Sequence, residues 1–217
     1  MDREIEVAIA GGHGKIGRLL GALLVEQGHS VLGLIRNPAQ EDDLRAIGVE
    51  PVLCDLEGEG DVGEAVAGVD AVVFAAGAGA GSGAERKRTM DLGGAVKLID
   101  AAKENGIRRY AMVSAMGAAD PPAEGGDVFA EYLRAKAAAD QALRASGLEH
   151  TIVRPGGLTD DPPSGRVSIA ERLERGEIAR ADVAAVLAAV LLTPNAIGRE
   201  FDLIAGETPV AEALASL

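Results

Sequence analysis

Short apolar, β-branched runs alternate with longer segments of helical periodicity along most of the chain. Strands are predicted at residues 5–10, 31–35, 50–54, 71–75, 110–114, 151–154 and 200–204. Helices are predicted at 15–27, 40–47, 62–67, 86–105, 128–146 and 181–192, with a short helix closing the chain. Gly48, Gly68 and Gly106 follow three of these helices, where a glycine stops a helix. The runs Val72-Val73-Phe74 and Thr151-Ile152-Val153 suit strands buried on both faces. Such alternation implies right-handed crossovers and a parallel sheet with helices on both sides. The expected fold is α/β, a Rossmann-like doubly wound parallel sheet, in a single domain over residues 1–217 with short C-terminal substrate-side elements. Two stretches without a regular pattern, about 115–128 and 157–179, follow the fifth and sixth strands. Both fall at the C-terminal edge of the sheet, where open α/β folds bind ligands, so they are expected to be substrate-side loops.

The first strand runs into Gly11-Gly12-His13-Gly14-Lys15-Ile16-Gly17, which opens the first helix. Gly11 allows a tight turn, Gly14 lets a pyrophosphate approach the backbone, and Gly17 lets the helix lie close to the sheet. The free N–H groups and the positive helix end then face phosphate. His13 lies in this loop and is expected to line the cofactor. The second strand ends in Arg36-Asn37, with no acid to hold a ribose 2′-hydroxyl. Arg36 can instead pair with a 2′-phosphate, which favours NADP (as NADPH) over NAD. Asp55-Leu56, after the third strand, is expected beside adenine, although Asp there also suits a helix cap.

Tyr132 and Lys136 stand four residues apart on one helix face. An ammonium near the phenol, together with an oxidised nicotinamide, would lower its pKa, and Tyr132 could then exchange a proton with a carbonyl or alcohol oxygen. Ser114, ending the fifth strand, could hold that oxygen. Met116, Phe129 and Leu158 are the expected apolar lining. Asp120, Glu124, Asp127, Asp160 and Asp161 on the two loops would disfavour anionic substrates if they closed over the site.

Gly11-x-x-Gly14-x-x-Gly17, Arg36, Asp55-Leu56, Ala75-Ala76-Gly77, Ser114, Tyr132-x-x-x-Lys136 and Arg154-Pro155-Gly156 occur in the order of the short-chain dehydrogenase/reductase superfamily. Over nearly its whole length the chain resembles the small atypical members of that superfamily, of the NAD(P)H-binding oxidoreductase or NAD-dependent epimerase/dehydratase type. The resemblance implies that Gly11 to Ile16, including Gly12 and Lys15, hold the pyrophosphate and that Arg36 and Asn37 lie at the 2′-phosphate. It implies that Ala75, Ala76 and Gly77 pass beside the adenosine ribose, and that Lys136 reaches the nicotinamide ribose. It places Pro155, Gly156, Gly157 and Leu158 near the carboxamide. Asp91 stands where many members carry Asn, which alters the electrostatics of a proton relay. An NADP(H)-dependent oxidoreductase using Ser114, Tyr132, Lys136 and Asp91 on a small carbonyl or alcohol is the leading implication. A non-catalytic NADP(H) redox sensor is the alternative, and an epimerase or dehydratase acting on a small substrate a minor one.

Composition narrows the partners. Net charge is −13 and aromatic content 2%, which disfavours nucleic acid and anionic membranes. The longest apolar run, 183–192, is too short to span a bilayer. The N-terminal Met1-Asp2-Arg3-Glu4 does not read as a secretory leader, so a cytoplasmic protein is expected. Cys54 is the only cysteine, which excludes an internal disulfide, and the three histidines have no metal-ligand spacing. The expected partner is a small-molecule substrate, with the protein a monomer or a homodimer paired through the helices at 86–105 and 128–146.

Overall fold

In a computed structural model, residues 4–79, 81–123, 125 and 127–217 are described. The first strand β1 (Glu6–Ala10) leads through the glycine loop to α1 (Lys15–Glu26). There follow β2 (Ser30–Ile35), a 3-10 turn at Pro38–Gln40, α2 (Glu41–Arg45), β3 (Glu50–Leu53) and the single turn α3 (Val62–Ala65). The next strand, β4 (Ala71–Phe74), precedes α4 (Ala84–Arg86), a π-helical segment over Lys87–Gly94, and α5 (Ala95–Glu104). Then come β5 (Arg109–Val113), α6 (Val128–Ala145) and β6 (Glu149–Pro155). The remainder comprises β7 (Gly157–Thr159), β8 (Arg166–Ala170), β9 (Glu177–Ala179), α7 (Arg180–Leu192), β10 (Arg199–Ala205), β11 (Thr208–Pro209) and α8 (Val210–Ala215).

The main sheet has the order β11-β8-β10-β6-β5-β4-β1-β2-β3, and β7 and β9 form a separate parallel pair. Strands from β3 through β10 pair in parallel, while β8 joins β10 antiparallel. Alternation along β1 divides the core. Val7 and Ile9 pack with Leu20 and Leu24 of α1 and with Val183, Val186 and Leu187 of α7. Ala8 and Ala10 face the other layer, with Leu98 and Ala102 of α5 and Leu143 of α6. The chain moves outward from β1 to β3 and then returns to the far side of β1 as β4. That reversal opens a crevice at the C-terminal ends of β1 and β4, where ligands bind in this architecture.

Two sequence expectations are corrected. The stretch 157–179 is not an irregular loop, because it contains β7, β8 and β9, and the sheet is therefore mixed rather than wholly parallel. Only Val167 within β8 is fully buried, so the segment lacks an apolar run and owes its extended form to pairing with β10 and β11. The helix expected at 86–105 runs unbroken from Ala84 to Glu104 but is not wholly α-helical: its first half is π-helical and carries the completely buried Asp91. Gly93 and Gly94 lower the helical stability of that half, and a π-turn of this kind often marks a functional site. Among the described residues no helix is long and apolar enough to cross a membrane.

Candidate functional site

The glycine loop follows from local sterics. Gly11 has φ +81°, and a Cβ there would lie 2.8 Å from the Ala76 backbone. A Cβ on Gly17 would sit 2.3 Å from the Gly11 carbonyl oxygen, so only glycine brings α1 this close to the loop. The α1 N-cap, Gly14, provides no side-chain cap, and no acidic residue stands in the first turn. The first-turn N–H groups and the positive helix end are therefore open to an anion. This arrangement fits a dinucleotide pyrophosphate.

Two adjoining chambers flank the end of β4 and share Ala75, Ala76 and Gly77 in their walls. The smaller, of about 300 Å³, is walled by Gly11, His13, Gly14, Arg36, Asp55 and Leu56, together with Gln40, Cys54, Arg86 and Met90. Its size and lining suit an adenosine moiety. The Arg36 and Arg86 guanidiniums converge on Glu57: Arg36 Nη1 lies 3.4 Å and Arg86 Nη2 3.1 Å from the same carboxylate oxygen. Burial works to raise the Glu57 carboxyl. Hydrogen bonds from Thr89 and Arg86 and the charges of both arginines outweigh it and leave Glu57 below the usual carboxylate range. Arg86 was missed in the sequence because it lies far from the second strand in the chain.

The larger chamber, of about 980 Å³, has Ile16, Asp91, Ser114, Tyr132, Lys136 and Pro155 to Leu158 in its wall. Met116 and Phe129 line it as well. The Lys136 ammonium is buried 3.3 Å from Asp91 Oδ1 and donates to the Val113 carbonyl at 3.1 Å. Asp91 Oδ2 accepts from the Ala78 N–H at 3.3 Å. Ser114 donates its hydroxyl hydrogen to Asp140 Oδ2 at 2.8 Å. Asp140 is completely buried, one turn beyond Lys136 on α6. Burial raises its carboxyl to about 6, against the lowering effects of Ser114, Lys136, Arg154 and Arg144.

The protein's own groups do not lower the Tyr132 pKa. Its phenol is pushed well above the ordinary value by burial first, then by the charges of Asp91 and Asp140. The Lys136 ammonium lies 5.9 Å from the Tyr132 ring centroid and is balanced by Asp91, so it does not draw the phenol down.

Three expected cofactor contacts do not reach either chamber. Gly12 gives its N–H to the Leu34 carbonyl at 3.2 Å and packs on Gly33. Lys15 pairs with Asp160, which also holds Arg180. Asn37 accepts from the Ala39 N–H at 3.0 Å and caps the 3-10 turn. The loop acids do not close over the site either. Asp127 caps α6 through the Ala130 N–H, Asp160 is taken by Lys15 and Arg180, and Asp120 and Asp161 lie outside both linings. Glu124 falls outside the described residues. The charged side chains that do line the large chamber beside Asp91 and Lys136 are Lys87 and Arg175. Lys87 sits 5.0 Å from the Tyr132 ring centroid, and Arg175 is exposed with no ion pair or hydrogen bond among the described residues. Among the described residues the loop acids are thus solvated or paired away from the chamber, and the added charge in its lining is cationic. Arg154 is scaffold: its buried guanidinium pairs with Asp202 and Glu200.

A Gly-rich turn into an uncapped helix at the sheet's switch point, with a half-buried Tyr and a buried Lys beyond it, defines a dinucleotide-binding Rossmann protein. The chain belongs to the NAD(P)H-binding family, whose model matches residues 11–194. It is 42% identical over 215 residues to YhfK of Bacillus subtilis, named as an uncharacterized sugar epimerase, covering 98% of this chain and all of that protein. Among solved structures it is similar to a Bacillus halodurans protein provisionally named an NAD-dependent epimerase/dehydratase. That match has a TM-score of 0.93 and 38% identity, and covers 98% of this chain and 100% of that one. The oxidoreductase ylbE of Lactococcus lactis follows with a TM-score of 0.85 and 26% identity, over 98% and 96% of the two chains.

Proposed function

We propose that this protein is an NADP(H)-dependent oxidoreductase acting on a small carbonyl or alcohol. The observation that carries the reading is the convergence of Ser114, Tyr132 and the Lys136–Asp91 pair in the wall of one chamber that adjoins the adenosine-sized one. NADP(H), when bound, supplies or accepts the hydride. Tyr132 stays protonated in these surroundings, so it can donate a hydrogen bond to a substrate oxygen, and the oxyanion that forms as hydride arrives is the base that would draw its proton away. Met116, Phe129 and Leu158 offer the substrate an apolar wall, and Lys87 and Arg175 favour a substrate that also carries an anionic group. Arg36 and Arg86 are the groups that would receive a 2′-phosphate, which supports NADP over NAD.

The test is a side-by-side fluorescence titration with NADPH and NADH. NADPH is expected to bind at least about tenfold tighter, a difference of about 1.4 kcal/mol, and Arg36→Ala should remove that preference. Equal affinities in the parent protein would return the cofactor assignment to NAD. Tyr132→Phe should abolish turnover while cofactor affinity stays unchanged, and undiminished turnover would sink the catalytic reading. One observation favours a non-catalytic NADP(H) sensor: Lys136 is already neutralised by Asp91. Tight cofactor binding with no reduction across a carbonyl panel would mark the sensor. The names of its relatives also allow an epimerase or dehydratase, which would retain its cofactor and show no net oxidation.

A further inference from the structure

Ser114 has one hydroxyl hydrogen, and Asp140 takes it. An ionised carboxylate can only accept, so while Asp140 is charged Ser114 presents lone pairs alone to the chamber. A carbonyl oxygen needs a donor, and Ser114 in that state cannot be one. Once Asp140 is protonated its O–H can donate to the Ser114 oxygen, and the Ser114 hydrogen becomes free to turn toward the chamber. We propose that Asp140 is a positioning residue that sets the direction of the Ser114 hydrogen bond. With Asp140 ionised Ser114 accepts from a substrate hydroxyl, and with Asp140 protonated it donates to a substrate carbonyl. This inference rests on the oxidoreductase reading given above.

The surroundings support such a switch. Among the described residues Asp140 Oδ1 is buried without a hydrogen-bond partner, so the carboxylate is held mainly by Ser114. The charged and titratable groups around it are Lys136, Arg144 and Tyr132 on its own helix, Arg154 on β6, and Asp91 through Tyr132 and Lys136. Arg144 and Arg154 are themselves engaged by Glu200, and Arg154 also by Asp202. Lys136 is engaged by Asp91. No one of these cations is therefore committed to Asp140 alone, and burial prevails in raising its carboxyl to about 6. Both protonation states are populated near neutral pH.

Two readouts test the switch. The first needs no turnover: 13C NMR of the aspartate carboxyls in the intact protein. One signal should titrate near pH 6, vanish in Asp140→Asn and move to higher pH in Ser114→Ala, where the lowering hydrogen bond is lost. No signal titrating near there, or one that Ser114→Ala leaves in place, overturns the proposal. The second is the pH profile of NADPH-driven reduction of 9,10-phenanthrenequinone. In the parent protein kcat should fall about tenfold per pH unit above the Asp140 titration. Asp140→Asn should be flat from about pH 5 to 8 whatever its absolute level, with NADPH affinity unchanged, and Asp140→Glu should restore a falling limb. A parent-like falling limb in Asp140→Asn overturns the proposal. Absence of reduction at every pH in the parent protein refutes the oxidoreductase reading instead, and the carboxyl titration then decides the Ser114–Asp140 switch by itself.

Discussion

Asp140→Asn is expected to stabilise the protein, and to do so by an amount that depends on pH. Asp140 is fully buried, with one oxygen on Ser114 and the other without a partner. Its carboxyl titrates at about 6 in the folded protein, raised by burial from an ordinary 3.8. Between those values the folded chain keeps a proton that the unfolded chain has released. Stability therefore falls as pH rises through the window, and above it the folded state bears the whole cost of an ionised buried carboxylate. That cost is about 3 kcal/mol at pH 8 and about 1 kcal/mol near pH 4.5. Asn is neutral at both, so the variant should gain about 2 kcal/mol on the parent between the two conditions. Urea unfolding of both proteins at each pH measures this as a shift of midpoint at constant m-value. Any fixed effect of exchanging an oxygen for an NH₂ cancels in the comparison. A stability difference that is the same at both pH values would refute the argument, because it would mean that Asp140 does not titrate in a buried site.

The Lys136–Asp91 pair makes a second expectation. Lys136→Met leaves Asp91 buried beside an apolar side chain and should cost about 3–5 kcal/mol, and adding Asp91→Leu should return most of that loss. Urea midpoints read both, and a cost below about 1 kcal/mol for Lys136→Met would mean that the pair is hydrated. Gly17→Ala forces a methyl against the Gly11 carbonyl and should cost about 1–3 kcal/mol together with NADPH affinity. Gly60→Ala, where the added methyl meets open space, is the control and should change neither.

The parts of this molecule legible in the sequence are those whose determinants are local. The turn from β1 into α1 depends on glycines within seven residues, and their spacing survives unchanged in three dimensions. The shared face of Tyr132 and Lys136 needs only helical periodicity. Asp140 lies on that same face, four residues beyond Lys136, and this spacing was the available signal. It went unread because an acid in an alanine-rich helix resembles a solvated position. The strands in 157–179 were illegible because β8 pairs with β10 and β11, some thirty to forty residues downstream, β7 and β9 are only three residues each and pair with one another, and their apolar content is thin. Arg86, Lys87 and Arg175 share no motif, and only the return of the chain to the sheet edge brings them to the chambers. Whether the loop acids close over the site was open in the sequence for the converse reason: Asp127 and Asp160 have local or tertiary partners that composition cannot reveal.

What the Tyr132 hydroxyl can do is decided by the carboxylates around it more than by its lysine. The Lys136 charge is offset by Asp91 at 3.3 Å, and Asp140 adds a further negative charge at the same helix face. Burial first, and then these charges, hold the phenol protonated, which leaves it a hydrogen-bond donor that gives up its proton reluctantly. Asp140 acts on this in two ways at once. When it ionises it makes the Tyr132 proton harder to release, and it also takes the hydrogen of Ser114. The two hydroxyl-bearing residues of the chamber wall are therefore linked through one carboxyl. Below its titration both can donate, and above it only Tyr132 can, from a phenol held more firmly. Carbonyl reduction should then favour the acidic side of neutrality.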